Sequence, residues 1–213
     1  MRIAVMGASG RTGRELVKQA LAGGHEVVAY VRRPEAVTPM SGLTVVGGQV
    51  DDEAALTEAL DLCDAVTVAL GNPISRASAP LMQIAMPSVI AATKRTGVRR
   101  VVVLSALGVG ATLANTRYPY RFGCRTFLAG AFRDHVAGES LLESSSLDWT
   151  TIHPGPLFDG PRTAHPTIVD AASGHLMPRA PRTMRADVAA AMLDMLTDTS
   201  TFGKQMLITS VQR

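Results

Sequence analysis

Three glycines recur at Gly7, Gly10 and Gly13, directly after a short apolar run (Ile3 to Met6) and directly before a helical pattern with Leu16, Val17, Ala20 and Leu21 on one face. The chemistry open to such a turn is anion binding. Gly7 permits a tight bend, Gly10 lets the backbone approach a pyrophosphate, and Gly13 lets the new helix pack against its strand. The helix then offers unpaired N–H groups and a positive dipole end to phosphate oxygens. Ser9, Arg11 and Thr12 add side-chain donors. The spacing is G-x-x-G-x-x-G and not G-x-G-x-x-G, so its setting between strand and helix carries the dinucleotide assignment.

A second position of interest closes the next strand, His25 to Val31, where dinucleotide folds that take NAD place an acid against the ribose hydroxyls. Here Arg32 and Arg33 follow instead, which favours the 2′-phosphate of NADP; a solvated arginine pair is the plainer alternative. Ser105 ends the run Arg99 to Leu104. A hydroxyl at the carboxyl end of a central strand faces the crevice where ligands bind, so Ser105 is a candidate catalytic or substrate-binding donor. From about Phe127 to Leu142, helical spacing puts Leu128, Phe132, His135, Glu139 and Leu142 on one side. His135 is thereby turned toward the sheet, as a structural or a chemical group. His153-Pro154-Gly155-Pro156-Leu157 reads as a rigid turn whose backbone could hold a nicotinamide carboxamide.

The elements that must position these residues alternate. After Gly23-Gly24 and the second strand come a third strand, Leu43 to Val46, with the exit Gly47-Gly48-Gln49-Val50-Asp51, and a helix from Glu53 to Leu60. Asp64 to Leu70 is a fourth strand, a nearly continuous apolar run ending at Gly71-Asn72-Pro73, beside the cofactor position. A helix between Ser78 and Arg95 carries Pro87, which kinks it or marks its start, and Gly97 stops it. Leu147 to His153 is a sixth strand. Prolines 156, 161, 166, 178 and 181 suggest an irregular substrate-side lobe over roughly 155–185. A last helix, Asp187 to Leu196, has Asp187 as cap or first-turn acid, and Gln205 to Thr209 closes the sheet. The expected fold is α/β: one Rossmann-like domain over 1–213, a doubly wound parallel sheet in three α/β/α layers, with that small irregular lobe.

The totals narrow the classes. With 213 residues, 46% hydrophobic and 18% charged, the chain suits one globular domain with a substantial core. A net charge of +3 is too small to argue for nucleic acid, even though Asn115 to Arg133 interleaves arginines with aromatics; a substrate-cleft wall or a subunit contact explains that segment as well. Cys63 and Cys124 form neither a disulfide framework nor a metal-ligand cluster, so no metal is expected and a reducing, cytoplasmic setting fits. No stretch reads as a leader or a membrane span.

The chain resembles the atypical short-chain dehydrogenase/reductases with the NAD(P)H-binding domain shared by NmrA-like proteins and flavin reductases of the biliverdin reductase B type. The resemblance rests on Gly7-Ala-Ser-Gly-Arg-Thr-Gly13, Val31-Arg32-Arg33, Val101 to Ser105, the helix end Glu139 to Leu142, and Ser146-Leu-Asp-Trp-Thr150 leading to His153-Pro-Gly155. It implies NADP(H) bound by Gly7, Ser9, Gly10, Arg11, Thr12 and Gly13 at the pyrophosphate and by Arg32 at the 2′-phosphate. Leu70 and Gly71 would line the ribose side, with Ser105, Pro154 and Leu157 near the nicotinamide. Asp134-His135 matches an aspartate-histidine pair of the flavin-reductase branch. Two departures stand out: the Tyr-x-x-x-Lys pair is missing, with Ala131 and His135 in its places, and Gln49, next to Val50, replaces an aspartate beside the adenine.

Ketone reduction makes an alkoxide that needs an acid, whereas a reduced flavin or quinone is a delocalised anion that water can protonate. The missing tyrosine therefore tilts the expectation toward an NADPH-dependent reductase of flavins, quinones or similar planar acceptors, with Ser105 and His135 at the acceptor. A non-catalytic NADP(H)-binding redox sensor of NmrA type is the alternative; an epimerase or dehydratase ranks below both. A monomer or homodimer without membrane partner is expected.

Overall fold

The computed structural model describes residues 1–71 and 80–211; the expected turn at Asn72-Pro73 and the helix boundary at Ser78 lie outside them. In chain order the elements are β1 (Arg2–Met6), α1 (Arg11–Ala22), β2 (Glu26–Val31), β3 (Leu43–Gly47), α2 (Glu53–Leu60), β4 (Ala65–Val68), α3 (Met82–Thr96), β5 (Arg100–Leu104), α4 (Tyr120–Arg125), α5 (Ala129–Glu143), β6 (Asp148–Pro154), β7 (Leu157–Phe158), β8 (Thr167–Asp170), β9 (Thr183–Met184), α6 (Arg185–Met195) and β10 (Lys204–Thr209). Eight strands form one sheet in the order β3-β2-β1-β4-β5-β6-β10-β8, parallel except for β8 against β10. The chain moves outward in opposite directions from β1 and β4. A ligand crevice belongs at that reversal, outside the carboxyl ends of the strands.

Burial on both faces explains the continuous apolar strands. In β1, Ile3 and Val5 join the core under α1 and α6, while Ala4 and Met6 join the core under α2 and α3. All four are fully buried. Each large apolar side chain so placed contributes about 1.5–3 kcal/mol, and a one-residue slip of the strand would exchange the two sets.

Two expectations are narrowed and one is corrected. Pro87 lies inside α3, five residues beyond its start, and does not begin the helix; Gly97 closes it in the left-handed region as expected, at φ +77°. Asp187 is the first-turn acid of α6, one of the two places expected for it, and not its cap. Its carboxylate instead accepts from the Thr163 N–H (2.8 Å), the Thr163 hydroxyl (2.7 Å) and the Ser210 hydroxyl, tying the 155–185 stretch to the helix and the chain end. That stretch is also less irregular than expected, because β8 returns to the main sheet as its antiparallel edge and β7 pairs with β9.

The end of the sheet opposite the crevice is held by Arg100, which is 6% exposed. Its guanidinium donates to the carbonyls of Met195 and Asp148 and to the hydroxyls of Thr150 and Thr201, and lies 4.4 Å from the Phe202 ring centroid. A buried cation needs such partners. Among the described residues, no helix is long and apolar enough to cross a membrane.

Candidate functional site: a strand-end crevice

The glycine turn is a cradle from which side chains are excluded. Gly7 has φ +78°, and a Cβ there would sit 2.6 Å from the Ala69 carbonyl oxygen. A Cβ at Gly13 would lie 2.1 Å from the Gly7 oxygen. Between them, Gly10 N–H donates to the Gly7 carbonyl at 2.9 Å. Helix α1 begins at Arg11 with no side-chain cap and no acid in its first turn, so its leading N–H groups have no intrahelical acceptor. A short-sided cradle with orphan donors fits a pyrophosphate. Thr12 and Gly13 are buried, Ser9 is half-buried and Arg11 is exposed. Arg11 reaches Asp159 at 3.3 Å, and Arg185 reaches the other oxygen of Asp159 at 2.8 Å.

On the other side of β1, Arg32 and Arg33 follow β2 and are exposed, as is Gln49 beyond β3, with Val50 half-buried. The Tyr30 hydroxyl donates to the Gln49 carbonyl at 2.7 Å. A Cβ at Gly48 would meet that hydroxyl oxygen at 2.0 Å, so glycine is required there. Tyr30 thus fixes the β3 exit. The sequence reading had passed over it; its signal was a phenol in an otherwise apolar strand, which needs a partner when buried.

A cavity of about 830 Å³ opens where the strand ends meet α4 and α5. It gathers Arg11, Leu70, Gly71, Ser105, His135, Pro154, Gly155 and Leu157 from the expected site residues. Gly7, Ser9, Gly10, Thr12, Gly13, Arg32, Arg33, Gln49 and Val50 are not in its wall. Its outer wall is largely apolar: Tyr120, Phe127, Leu128 and Phe132 come from the segment whose arginines and aromatics alternate. Those aromatics therefore face a cleft. Arg121 turns back to the Ala114 carbonyl (2.8 Å) and the Thr116 hydroxyl (3.2 Å), and Arg125 and Arg133 are exposed.

Asp134 and His135 have separate tasks. The Asp134 carboxylate accepts from the N–H groups of Leu81 (2.9 Å), Met82 (2.9 Å) and Gln83 (3.0 Å), capping α3 from the neighbouring helix. His135 lines the cavity, and its buried Nδ1 has no hydrogen-bond partner among the described residues. Burial lowers its pKa, with Asp134 opposing, so the ring is neutral near pH 7.

Behind Ser105 stands a group that the sequence marks as part of a helical stripe and of the helix end Glu139 to Leu142, without a chemical role. Glu139 is 4% exposed, and the Ser105 hydroxyl, itself 5% exposed, donates to its Oε1. Burial pushes the Glu139 carboxyl up to about 7; the Ser105 bond opposes this and Glu143 adds to it. His153 Nε2 lies 3.9 Å from the same oxygen. Burial holds His153 down at about pKa 4, so it brings no positive charge. Its Nδ1 donates to the Ala106 carbonyl at 3.1 Å, and its Nε2 accepts from the Thr151 hydroxyl at 2.8 Å. That accounting assigns the Nδ1–H tautomer. His153 is therefore a strut inside β6 and not part of an open turn. Of the turn that follows, the Pro154 and Pro156 carbonyls are engaged by Leu107 and Thr183 N–H groups at 2.8 and 3.0 Å.

A sheet ordered β3-β2-β1-β4-β5-β6, with a Cβ-free cradle and a cavity at its carboxyl end, defines a Rossmann-type dinucleotide-binding domain. More particularly, the chain belongs to the NAD(P)H-binding family, whose profile matches residues 7–199. It is 43% identical over 68 residues to the photosystem II assembly factor Ycf39 of Synechocystis sp., covering 31% of this chain and 21% of that protein. The match thus spans about a fifth of that relative's length. Two solved structures share the fold: a short-chain dehydrogenase/reductase from Veillonella parvula in complex with NADP (18% identity, TM-score 0.82, covering 98% and 94% of the two chains), and ChuY, an anaerobillin reductase from Escherichia coli O157:H7 (21% identity, TM-score 0.82, covering 100% and 98%). The fold and family expected from the glycine turn and strand ends are those found, and NAD(P)H is the family's ligand.

Proposed function

We propose that the chain is an NADPH-dependent reductase whose acceptor is a flavin, a quinone or a similar planar molecule. The observation that carries this reading is the largely apolar cavity that joins the nucleotide crevice to Ser105 and His135. On this reading, Gly7, Ser9, Gly10, Arg11, Thr12 and Gly13 hold the pyrophosphate in the crevice beside the cavity, Arg32 with Arg33 takes the 2′-phosphate, and Gln49 and Val50 flank the adenine. Leu70 and Gly71 border the ribose, with Ser105, Pro154, Gly155 and Leu157 around the nicotinamide. When bound, the nucleotide supplies a hydride at the nicotinamide. Tyr120, Phe127 and Phe132 exclude water and stack a planar acceptor, and Ser105 and His135 orient its polar atoms.

The test is NADPH oxidation with a panel of free flavins, quinones and simple ketones, beside a calorimetric titration of the nucleotide. Turnover with flavins or quinones bears the reading out. Tight NADPH binding with no turnover on any acceptor would replace it with a nucleotide-sensing role.

A further inference from the structure

The absence of tyrosine at position 131 removes the usual acid, yet a buried carboxyl and hydroxyl stand at the same cavity. Ser105 is in the wall, and among the described residues the side-chain partner of its hydroxyl is Glu139. We propose that Ser105 and Glu139 form a proton relay, in which Ser105 touches the acceptor and Glu139, behind it, orients the hydroxyl and refills its proton. This rests on the reductase reading and deepens it.

Two arrangements of the pair follow from donor counting. With Glu139 ionised, the Ser105 proton points at Oε1, and the hydroxyl offers the cavity only lone pairs. With Glu139 protonated, the carboxyl donates to Ser105 Oγ, and the serine O–H turns into the cavity. The second arrangement delivers a proton. The reduced nicotinamide nucleotide gives the acceptor a hydride, so one proton must balance it. The Ser105 O–H bond breaks as an O–H or N–H bond forms on the acceptor, the Glu139 O–H bond breaks as the serine O–H re-forms, and the carboxylate is reprotonated from solvent between turnovers.

The surroundings keep Glu139 able to do this. From β6 it faces His153, whose Nε2 is already occupied by Thr151. On its own helix it faces His135 and Glu143, and at the adjacent Gly138 the neighbours from α3 are Met82 and Met86. Among the described residues no lysine or arginine pairs with it. With no fixed cation and deep burial, its carboxyl titrates near neutrality, where an acid that must both give and regain a proton is most effective. The consequence for specificity is that, among planar acceptors, those giving a more basic product anion gain most from the relay.

The experiment compares wild type, Glu139→Gln and Ser105→Ala. Glutamine still bonds to Ser105 but has no acid proton. With an acceptor whose product anion is basic, kcat should fall about 100-fold in Glu139→Gln, and the loss of wild-type rate above pH 7 should disappear. With a quinone the change should stay under about threefold, because its anion needs no acid. Nucleotide affinity measured by fluorescence should be unchanged. Independently of activity, infrared titration should find a carboxyl C=O band that ionises near pH 7 in wild type and in Ser105→Ala, and that is missing in Glu139→Gln. If no carboxyl titrates between about pH 6 and 8, or Glu139→Gln keeps the wild-type pH profile on basic acceptors, the relay is overturned. Failure of wild type to reduce any acceptor would instead remove the reductase reading beneath it; the infrared band separates the two failures.

Discussion

Asp134 offers the clearest quantitative test of how this site is built. Helix α3 has no side-chain cap of its own and no acid in its first turn, and the Asp134 carboxylate takes three of its leading N–H groups at 2.9 to 3.0 Å. Losing a cap costs about 0.5–2 kcal/mol, and losing a partly buried charge at the positive end of a helix adds about 1–2 kcal/mol. Asp134→Ala should therefore destabilise the fold by about 1.5–4 kcal/mol, and Asp134→Asn, which keeps one acceptor oxygen and turns an NH₂ toward N–H donors, by about half as much. In urea unfolding, with m of roughly 2–3 kcal/mol per M, the alanine variant should lower the midpoint by about 1 M at unchanged m. Amide exchange at Met82 and Gln83 should accelerate first, as the helix start frays. A change under about 0.5 kcal/mol for Asp134→Ala would refute the argument, and would return Asp134 to a partnership with His135 in the chemistry.

Three further outcomes are expected. Arg32→Ala should weaken NADPH tenfold to about 100-fold, the value of a charge-assisted phosphate bond of about 1.5–3 kcal/mol, and barely affect NADH; equal losses in calorimetric titration would sink the 2′-phosphate assignment. Gly13→Ala places a Cβ 2.1 Å from the Gly7 oxygen and 2.8 Å from Ala8 Cα, so thermal stability should fall by at least about 1–3 kcal/mol with nucleotide binding lost; a native melting point with native affinity would contradict the cradle. Glu139, raised to about 7, binds its proton more tightly folded than unfolded, so its contribution is full below its ordinary value of 4.5 and is lost as pH rises through 7. His153, lowered to about 4, has the opposite slope, its contribution being lost as pH falls from 6.5 to 4. The two cancel over much of their shared range, so the stability of Glu139→Gln relative to wild type should rise by about 3 kcal/mol between pH 4.5 and 7.5. A constant difference in urea titrations at several pH values would count against the buried carboxyl.

The parallel strands were legible because covering both faces leaves runs such as Val101 to Leu104 without alternation, and the candidate site was drawn from the residues that end those runs. Gly7, Arg32, Ser105 and Pro154 all sit at strand ends for that reason. The edge strand β8 was not legible: four residues, Thr167–Asp170, amid prolines gain their identity only by pairing with β10 about forty positions later. Glu139 was on the page as one position of a stripe, but its meaning depends on how α5 docks over the ends of β5 and β6, which periodicity does not carry. The burial of His153 had one faint signal: Thr151 lies two residues earlier in the same strand and therefore on the same face.

Arg100 and Ser105 stand at opposite ends of β5, about 16 Å apart along one strand. The knot around Arg100 fastens β5, β6, α6 and the approach to β10 at the far pole, whereas the cavity wall is drawn from α4 and α5 at the near one. The Arg100 clasp and the acceptor mouth of the proposed function thus lie at separate addresses. If the proposed function holds, exchanging Tyr120, Phe127 or Phe132 reshapes the mouth where the acceptor enters while the Arg100 clasp at the root stays untouched.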